Sequence, residues 1–322
     1  MRKVEILDVE IDNLSQSELI EQLRAGGVVF TPNVDHIVKL QSDPLFQAAY
    51  RFADYRVCDS QLLLWASKLI GTPIKEKVSG SDLFPAFYQR YSDDEEIAIF
   101  LLGSSTGVAA TAMDKINAKV GREIVVGAHS PSFQFLDDWE ENEAIIRAIN
   151  DSKATVLAIG VGAPKQEKWL LHHRDRLKHV KIAMAVGATI DFEAGRTKRS
   201  PAWVSELGLE WLYRLLREPK RLWKRYLLED VVFFQLLARR YWSKRGLRQN
   251  NQHRNQLFKQ GLFKQEPSVS TDDSFLNDER TDIAQPKGTW HNKNQSHNDK
   301  SNSFAKNRDS KEQDKWTLAK KR

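Results

Sequence analysis

Cysteine is almost missing from this 322-residue chain: Cys58 stands alone, so no internal disulfide can form and a stapled secreted scaffold is excluded. Long apolar runs are missing too. No stretch approaches the ~20 residues that span a bilayer, and Met1-Arg2-Lys3 followed by Val4–Val9 lacks the apolar centre of a signal peptide. Metal-ligand spacing is lacking: His36, His129, His172, His173 and His179 follow no ligand pattern, and Cys58 has no thiolate partner. His172-His173 reads as part of a solvated helix face. Asp93–Glu96 precedes a strand and Asp137-Asp138 opens a helix, where carboxylates are ordinary. No Gly-x-Ser-x-Gly elbow, Walker loop or solenoid repeat occurs. These absences lead to the expectation of a cytoplasmic protein that works without a metal.

What is present is a steep charge asymmetry. The overall net charge of +6 divides into −7 over residues 1–194, +9 over 195–250 and +4 over 251–322. The basic segment also holds Trp203, Trp211, Trp223 and Trp242. There Leu209, Leu212, Leu215 and Leu216 share one helical face, and Arg214, Arg217 and Arg221 lie on another. Pro219 interrupts, and a second helix starts at Lys220–Arg225 and runs on through Val231–Leu237. Interleaved Trp, Arg and Leu suit a helix lying in a lipid headgroup layer. The same charges would serve nucleic acid, but so many apolar neighbours would be idle in a groove. A packed helical hairpin with a solvated basic face is the plainer alternative. After residue 249 Asn, Gln, Lys, Ser and Asp dominate, with too little apolar surface to offset the entropy of ordering. The expected organisation is an α/β core over 1–195, a basic, Trp-rich helical appendage over 196–248 and a disordered polar tail over 249–322.

Residues 1–194 alternate strand and helix signals. Val4–Val9 reads as a strand, Ser15-Gln-Ser-Glu18 as a capping box opening a helix to about Arg24, and Val28–Phe30 as a buried strand ending at Thr31-Pro32. Val34, Ile37, Val38 and Leu40 have helical spacing, Pro44 starts another helix, and Arg56–Cys58 is a short strand before the Leu62–Ile70 helix. Strands over 97–102, 124–126, 154–160 and 182–186 follow, with helices between them. That rhythm predicts a parallel sheet covered by helices on both faces.

Ligands of an open α/β sheet bind beyond the carboxyl ends of its strands. Five polar segments fall there: Thr31-Pro32-Asn33, Asp59-Ser60, Gly103-Ser104-Ser105, Gly160–Gln166 and Gly187–Asp191. Gly103–Gly107 opens a helix, so its N–H groups either cradle a diphosphate or make an ordinary tight turn. Gly160 and Gly162 permit close backbone approach, Pro164 suits the first helical position, and Lys165 and Gln166 bring donors to the helix mouth; a solvated glycine-rich turn is the alternative. Asp59 is either the N-cap of the next helix or a carboxylate able to take a proton from a substrate hydroxyl. Asp191 is a structural carboxylate or a ligand contact, and Asp82 a cap or first-turn residue.

Thr31-Pro-Asn-Val-Asp-His-Ile-Val-Lys-Leu40, Ser79-Gly-Ser-Asp-Leu-Phe-Pro85, Leu101-Leu-Gly-Ser-Ser105, Gly160-Val-Gly-Ala-Pro-Lys-Gln-Glu167 and Arg199-Ser-Pro-Ala-Trp203 occur in order. Over about residues 4–240 the chain resembles the WecG/TagA/CpsF glycosyltransferases. The resemblance implies a Rossmann-like α/β core with a C-terminal membrane-associating appendage. It implies an inverting, metal-independent enzyme with no cofactor, which moves a sugar from a UDP-sugar to a polyprenyl-diphosphate-linked sugar in cell-surface polysaccharide synthesis. The sugar would be N-acetylmannosamine or a related hexose or hexuronic acid. The enzyme would sit peripherally on the cytoplasmic membrane face through 196–248, bind no nucleic acid, and be a monomer or a homo-oligomer. By the same resemblance Asp59 is the catalytic base, with Thr31 and Asn33 beside it. Gly103, Ser104, Gly160, Gly162, Lys165, Gln166, Asp191 and Lys77 would hold the donor, and Arg214, Arg221, Lys224 and Arg225 the acceptor diphosphate. Two positions depart from the family pattern: Ser60 replaces a glycine frequent after the catalytic Asp, and Lys77 replaces an arginine. Lysine keeps the charge but loses the planar fork. A non-catalytic UDP-sugar-binding or membrane-scaffolding protein is the rival reading.

Overall fold

The computed structural model describes residues 3–197, 204, 213, 215–216 and 231–240. Most of the 196–248 appendage and the whole 249–322 tail lie outside the described residues. The elements are β1 (Lys3–Ile6), β2 (Val9–Asp12), α1 (Gln16–Leu23), β3 (Gly27–Phe30), α2 (Val34–Leu40), α3 (Pro44–Phe52), β4 (Tyr55–Arg56) and α4 (Gln61–Leu69), then α5 (Gly80–Arg90), β5 (Ile99–Gly103), α6 (Val108–Val120), β6 (Val125–His129), α7 (Trp139–Asp151), β7 (Val156–Gly160), α8 (Lys165–His173), β8 (Ile182–Ala185) and α9 (Thr189–Glu193).

The single strand expected over Val4–Val9 is instead two. β1 and β2 pair antiparallel with Ile6 opposite Val9, and Leu7 and Asp8 between them have φ of 49° and 63°. Two positive φ values make the hairpin turn that matches strand twist, but Leu-Asp is not the Asn-Gly pair that announces one. The main sheet has six strands in the order β4-β3-β8-β7-β5-β6, all parallel. From β3 the chain moves outward to β4, crosses through α4 and α5 to β5, steps out to β6 and returns through β7 to β8.

Alternation along these strands feeds two cores. Val28, Phe30, Phe100, Leu102, Leu157, Ile159, Ala183 and Ala185 face one side with residues of α2, α3, α7 and α8. Val29, Ile99, Leu101, Val156, Ala158, Ile182 and Met184 face the other with residues of α1, α5, α6 and α9. The expected sheet with helices on both faces is therefore present. The capping box at α1 forms as anticipated, with Glu18 N donating to Ser15 Oγ and Ser15 N to the Glu18 carboxylate. α5 begins at Ser79, whose Oγ caps it, and Asp82 sits in its first turn as expected.

Residues 231–240 are helical, continuing the pattern read in the basic segment. Phe233 and Leu237 join the same core as Val4, Ile6 and Ile37. Arg240 pairs with Asp8 and lies 3.7 Å from Glu5 on the hairpin. Val231, Val232 and Phe234 stay exposed. Among the described residues no helix is long and apolar enough to cross a membrane.

Candidate active site

The five polar segments all emerge at the carboxyl edge of the sheet, because every strand there is parallel. On the β3–β4 side the ladder outruns the strands: Val57 N donates to Phe30 O at 3.0 Å and Asp59 N to Pro32 O at 2.8 Å. This draws Asp59 alongside Thr31-Pro32-Asn33. Val78 N then donates to Cys58 O at 2.7 Å, which brings the Lys77 backbone to the same place. Asp59 is not the helix cap: Ser60 takes that role for α4, accepting from Leu63 N at 3.4 Å. Asp59 therefore does not fill the capping role the sequence allowed it. Thr31 is buried, and Asn33 caps α2 by accepting from His36 N at 3.1 Å. Burial pushes the Cys58 thiol up to about 12, so it is no nucleophile at neutral pH.

On the other side three strand ends form a glycine seam. A Cβ on Gly103 would lie 2.5 Å from Gly160 O, and one on Gly160 would lie 2.4 Å from Gly187 O. No other residue fits such a backbone approach. Ser104, at φ 63°, donates its Oγ to Asp191 Oδ1 at 2.8 Å, tying the β5 loop to α9. Arg196 stands 3.7 Å from the same carboxylate. Gly162 takes φ 85°, and its carbonyl accepts from Gln166 N at 3.1 Å. Pro164 is the N-cap of α8 rather than its first helical residue. Lys165 turns to the β6–α7 loop, donating to Phe133 O at 2.7 Å with its ammonium 3.7 Å from the Phe133 ring centre. Arg214, Arg221, Lys224 and Arg225 lie outside the described residues.

Residue-by-residue reading missed a buried polar cluster between α2, α3 and α8. His36 Nδ1 and Tyr50 Oη are 2.7 Å apart, and Lys39 Nζ is 2.8 Å from the buried Asp35 carboxylate. Glu167 is fully buried and accepts from Gln166 Nε2 at 2.8 Å. Burial raises its carboxyl to about 7 against the hydrogen bond from Gln166. Burial, with the Glu167, Asp35 and Asp59 charges, likewise keeps the Tyr50 hydroxyl protonated well above its usual range. The signal available was spacing: Gln166 and Glu167 stand three residues before Trp169 and Leu170, on one buried helix face. His173 departs from the solvated face expected of it, with its ring 5.1 Å from that of Trp169. Among the described residues no three His, Cys, Asp or Glu side chains gather to hold a metal.

The family model described as "Glycosyl transferase WecG/TagA/CpsF family" matches residues 4–247. The chain belongs to this family. It is therefore a glycosyltransferase, and the strand-end residues are its candidate catalytic machinery. A WecG/TagA/CpsF relative from Staphylococcus aureus (strain MRSA252) is 25% identical over 228 residues, covering 68% of this chain and 87% of that protein. One from Bacillus spizizenii is 27% identical over 202 residues, covering 63% of this chain and 75% of that protein. Both are named N-acetylglucosaminyldiphosphoundecaprenol N-acetyl-beta-D-mannosaminyltransferase.

Proposed function

We propose that this glycosyltransferase moves N-acetylmannosamine, or a closely related sugar, from its UDP conjugate to a sugar carried on a polyprenyl diphosphate. The reading is supported by the names of the two relatives and by one geometric observation: the site has two ends. Neighbouring strands lie about 4.8 Å apart, so the carboxyl ends of β4 and β5, four places apart, are separated by about 19 Å. That span suits an extended nucleotide sugar, with UDP over the Gly103–Gly160–Gly187 seam and the sugar reaching towards Asp59. Ser104 and Asp191 serve the nucleotide end, and Gly162, Lys165 and Gln166 line the loop between.

Asp59 takes the proton from the acceptor hydroxyl as its oxygen attacks the anomeric carbon. The bond from that carbon to the diphosphate breaks on the opposite face, UDP leaves with the electron pair, and the configuration inverts. Thr31 and Asn33 position the hydroxyl beside Asp59. The charge growing on UDP is met by Lys77 and by backbone N–H groups of the glycine loops, with no metal required. Arg214, Arg221, Lys224 and Arg225 of the appendage hold the acceptor diphosphate, and the basic 196–248 segment rests on the cytoplasmic membrane face. Activity then depends on the appendage closing over the pocket.

The test is UDP release from UDP-N-acetylmannosamine, UDP-N-acetylglucosamine, UDP-glucose and UDP-hexuronic acids. Each donor is run with and without a short-chain polyprenyl-diphosphate N-acetylglucosamine, both in excess EDTA and without it. Acceptor-dependent release with UDP-N-acetylmannosamine is expected. Release only without EDTA would refute metal independence, and release from another donor would replace the sugar.

A further inference from the structure

α4 presents an apolar face that the steps above do not use. Its buried residues are Leu63, Ala66 and Ser67. Leu62, Trp65 and Leu69 line the opposite side at i, i+3, i+7, with exposed Lys68 among them. Trp65 is 48% exposed and Leu69 76%, on a helix side that solvent ordinarily fills with charged and polar residues. Residues 60–75 hold no Asp or Glu and two lysines, within a core whose residues 1–194 carry a net −7. Of the two, Lys75 pairs with Glu18 at 2.6 Å, and Lys68 stands on the face itself. Tryptophan, leucine and lysine on one uncovered, acid-free helix side suit the headgroup layer of an anionic bilayer: the apolar side chains reach the acyl boundary and the ammonium meets lipid phosphates. The loop after α4 and the 231–240 helix are both tied to the β1–β2 unit. Asn13 Nδ2 donates to Pro73 O at 3.3 Å and Lys75 N to Asn13 Oδ1 at 2.7 Å, while Arg240 pairs with Asp8. Val231, Val232 and Phe234 are exposed on that second helix, so uncovered apolar side chains occur on two helices anchored to one hairpin.

We infer that the outer face of α4, with Trp65, Lys68 and Leu69, rests on an anionic phospholipid bilayer, a membrane contact made by the catalytic core itself and additional to that of the basic 196–248 segment. For the acceptor it serves, this rests on the polyprenyl-diphosphate reading and deepens it. Ser60 caps α4, and Asp59 directly precedes it. At 1.5 Å per residue Trp65 stands about 7 Å and Leu69 about 13 Å along the helix axis from Ser60. An interfacial helix lies in the plane of the headgroups. Asp59, at its start, then comes to the depth where a polyprenyl diphosphate carries its sugar, with the lipid tail still in the bilayer.

Site-specific labelling of the full-length chain tests this. Cys58 is buried and its thiol is pushed up to about 12, so a cysteine placed by Leu69→Cys is the thiol that an environment-sensitive nitrobenzoxadiazole reagent labels. Vesicles of phosphatidylglycerol and phosphatidylcholine should brighten and blue-shift the label, and doxyl-labelled lipid should quench it. Glu123→Cys, at an exposed position before β6 on the far edge of the sheet, should report no change. Vesicles of phosphatidylcholine alone should bind about tenfold more weakly. In the unlabelled chain, Trp65→Gln combined with Leu69→Gln should weaken vesicle co-sedimentation by about tenfold, and Lys68→Gln by about fivefold. UDP release with the short-chain acceptor free in solution should be unchanged in these variants, and should fall about tenfold in the double variant when the acceptor is held in vesicles. A chain that co-sediments with the vesicles while the label at position 69 stays dim overturns the inference, as does a label equally bright with phosphatidylcholine alone. A label that brightens with protein concentration instead of lipid, alongside the mass of a dimer, assigns the face to a second copy and overturns it too. The vesicle arms need no substrate, so a wild type that releases no UDP from any donor ends the functional reading, and the label still decides the contact.

Discussion

Glu167→Gln should make the protein more stable at alkaline pH while leaving its stability in acid nearly as it was. The fully buried carboxyl is raised from 4.5 to about 7, chiefly by desolvation. Between those two values the folded chain keeps a proton that the unfolded chain has given up. Stability therefore falls as pH rises through that interval and levels off above about 7. At about 1.4 kcal/mol per pH unit, the whole interval amounts to about 3 kcal/mol. Glutamine preserves the shape and the bond from Gln166 but never ionises, so its advantage should be near zero at pH 4. It should reach about 1 kcal/mol at pH 5.5 and about 3 kcal/mol at pH 8. Urea denaturation of both proteins at pH 5.5 and pH 8 measures it, since the midpoint moves with stability while the slope reports the surface exposed. A stability difference that stays constant between the two pH values would refute the reasoning, because a carboxylate ionised throughout adds no slope.

Three further outcomes follow from the site. Asp59→Asn should abolish acceptor-dependent UDP release while calorimetric binding of the donor persists, since the amide keeps the volume and loses the base. Gly160→Ala should cost about 1–3 kcal/mol and destroy donor binding, because the new Cβ would meet Gly187 O, a backbone atom, at 2.4 Å; a thermal melt and a UDP titration read the two effects. Ser104→Ala removes the 2.8 Å bond to Asp191 and should lower stability by about 1.5–3 kcal/mol, the worth of a hydrogen bond to a charged group, read as a fall in melting temperature, with weaker UDP binding as the β5 loop loses its tie to α9.

How far the sequence foretold this site depends on which residues carry their own signals. β5, β7 and β8 were legible because strands buried on both faces are continuous apolar runs, Ile99–Leu102, Val156–Ile159 and Ile182–Ala185, that end at glycine or a tight loop. The β1–β2 hairpin was not, because Leu7-Asp8 adopts a glycine-like conformation without glycine, and the only trace of the turn is a change of phase between the alternation of Val4 and Ile6 and that of Val9 and Ile11. Asp59 and Ser60 are both able caps, and only the folded chain distributes the roles, giving the cap to Ser60 and tying the Asp59 backbone to Pro32. Lys165 shows the reverse: a cation at a helix mouth suggests phosphate, yet its ammonium settles on Phe133, an aromatic whose place is set by the β6–α7 loop. Glu167 was hardest to foresee, since local polarity marks it for solvent. What buries it is α3, which packs on α8 only because β3 and β4 lie beside β8 and β7 in the sheet order. Strand order is a property of crossovers spanning dozens of residues, so the only local sign of burial at Glu167 is its spacing to Trp169 and Leu170. A carboxyl that titrates near neutrality can therefore lie inside a motif whose glycines and lysine draw all the notice.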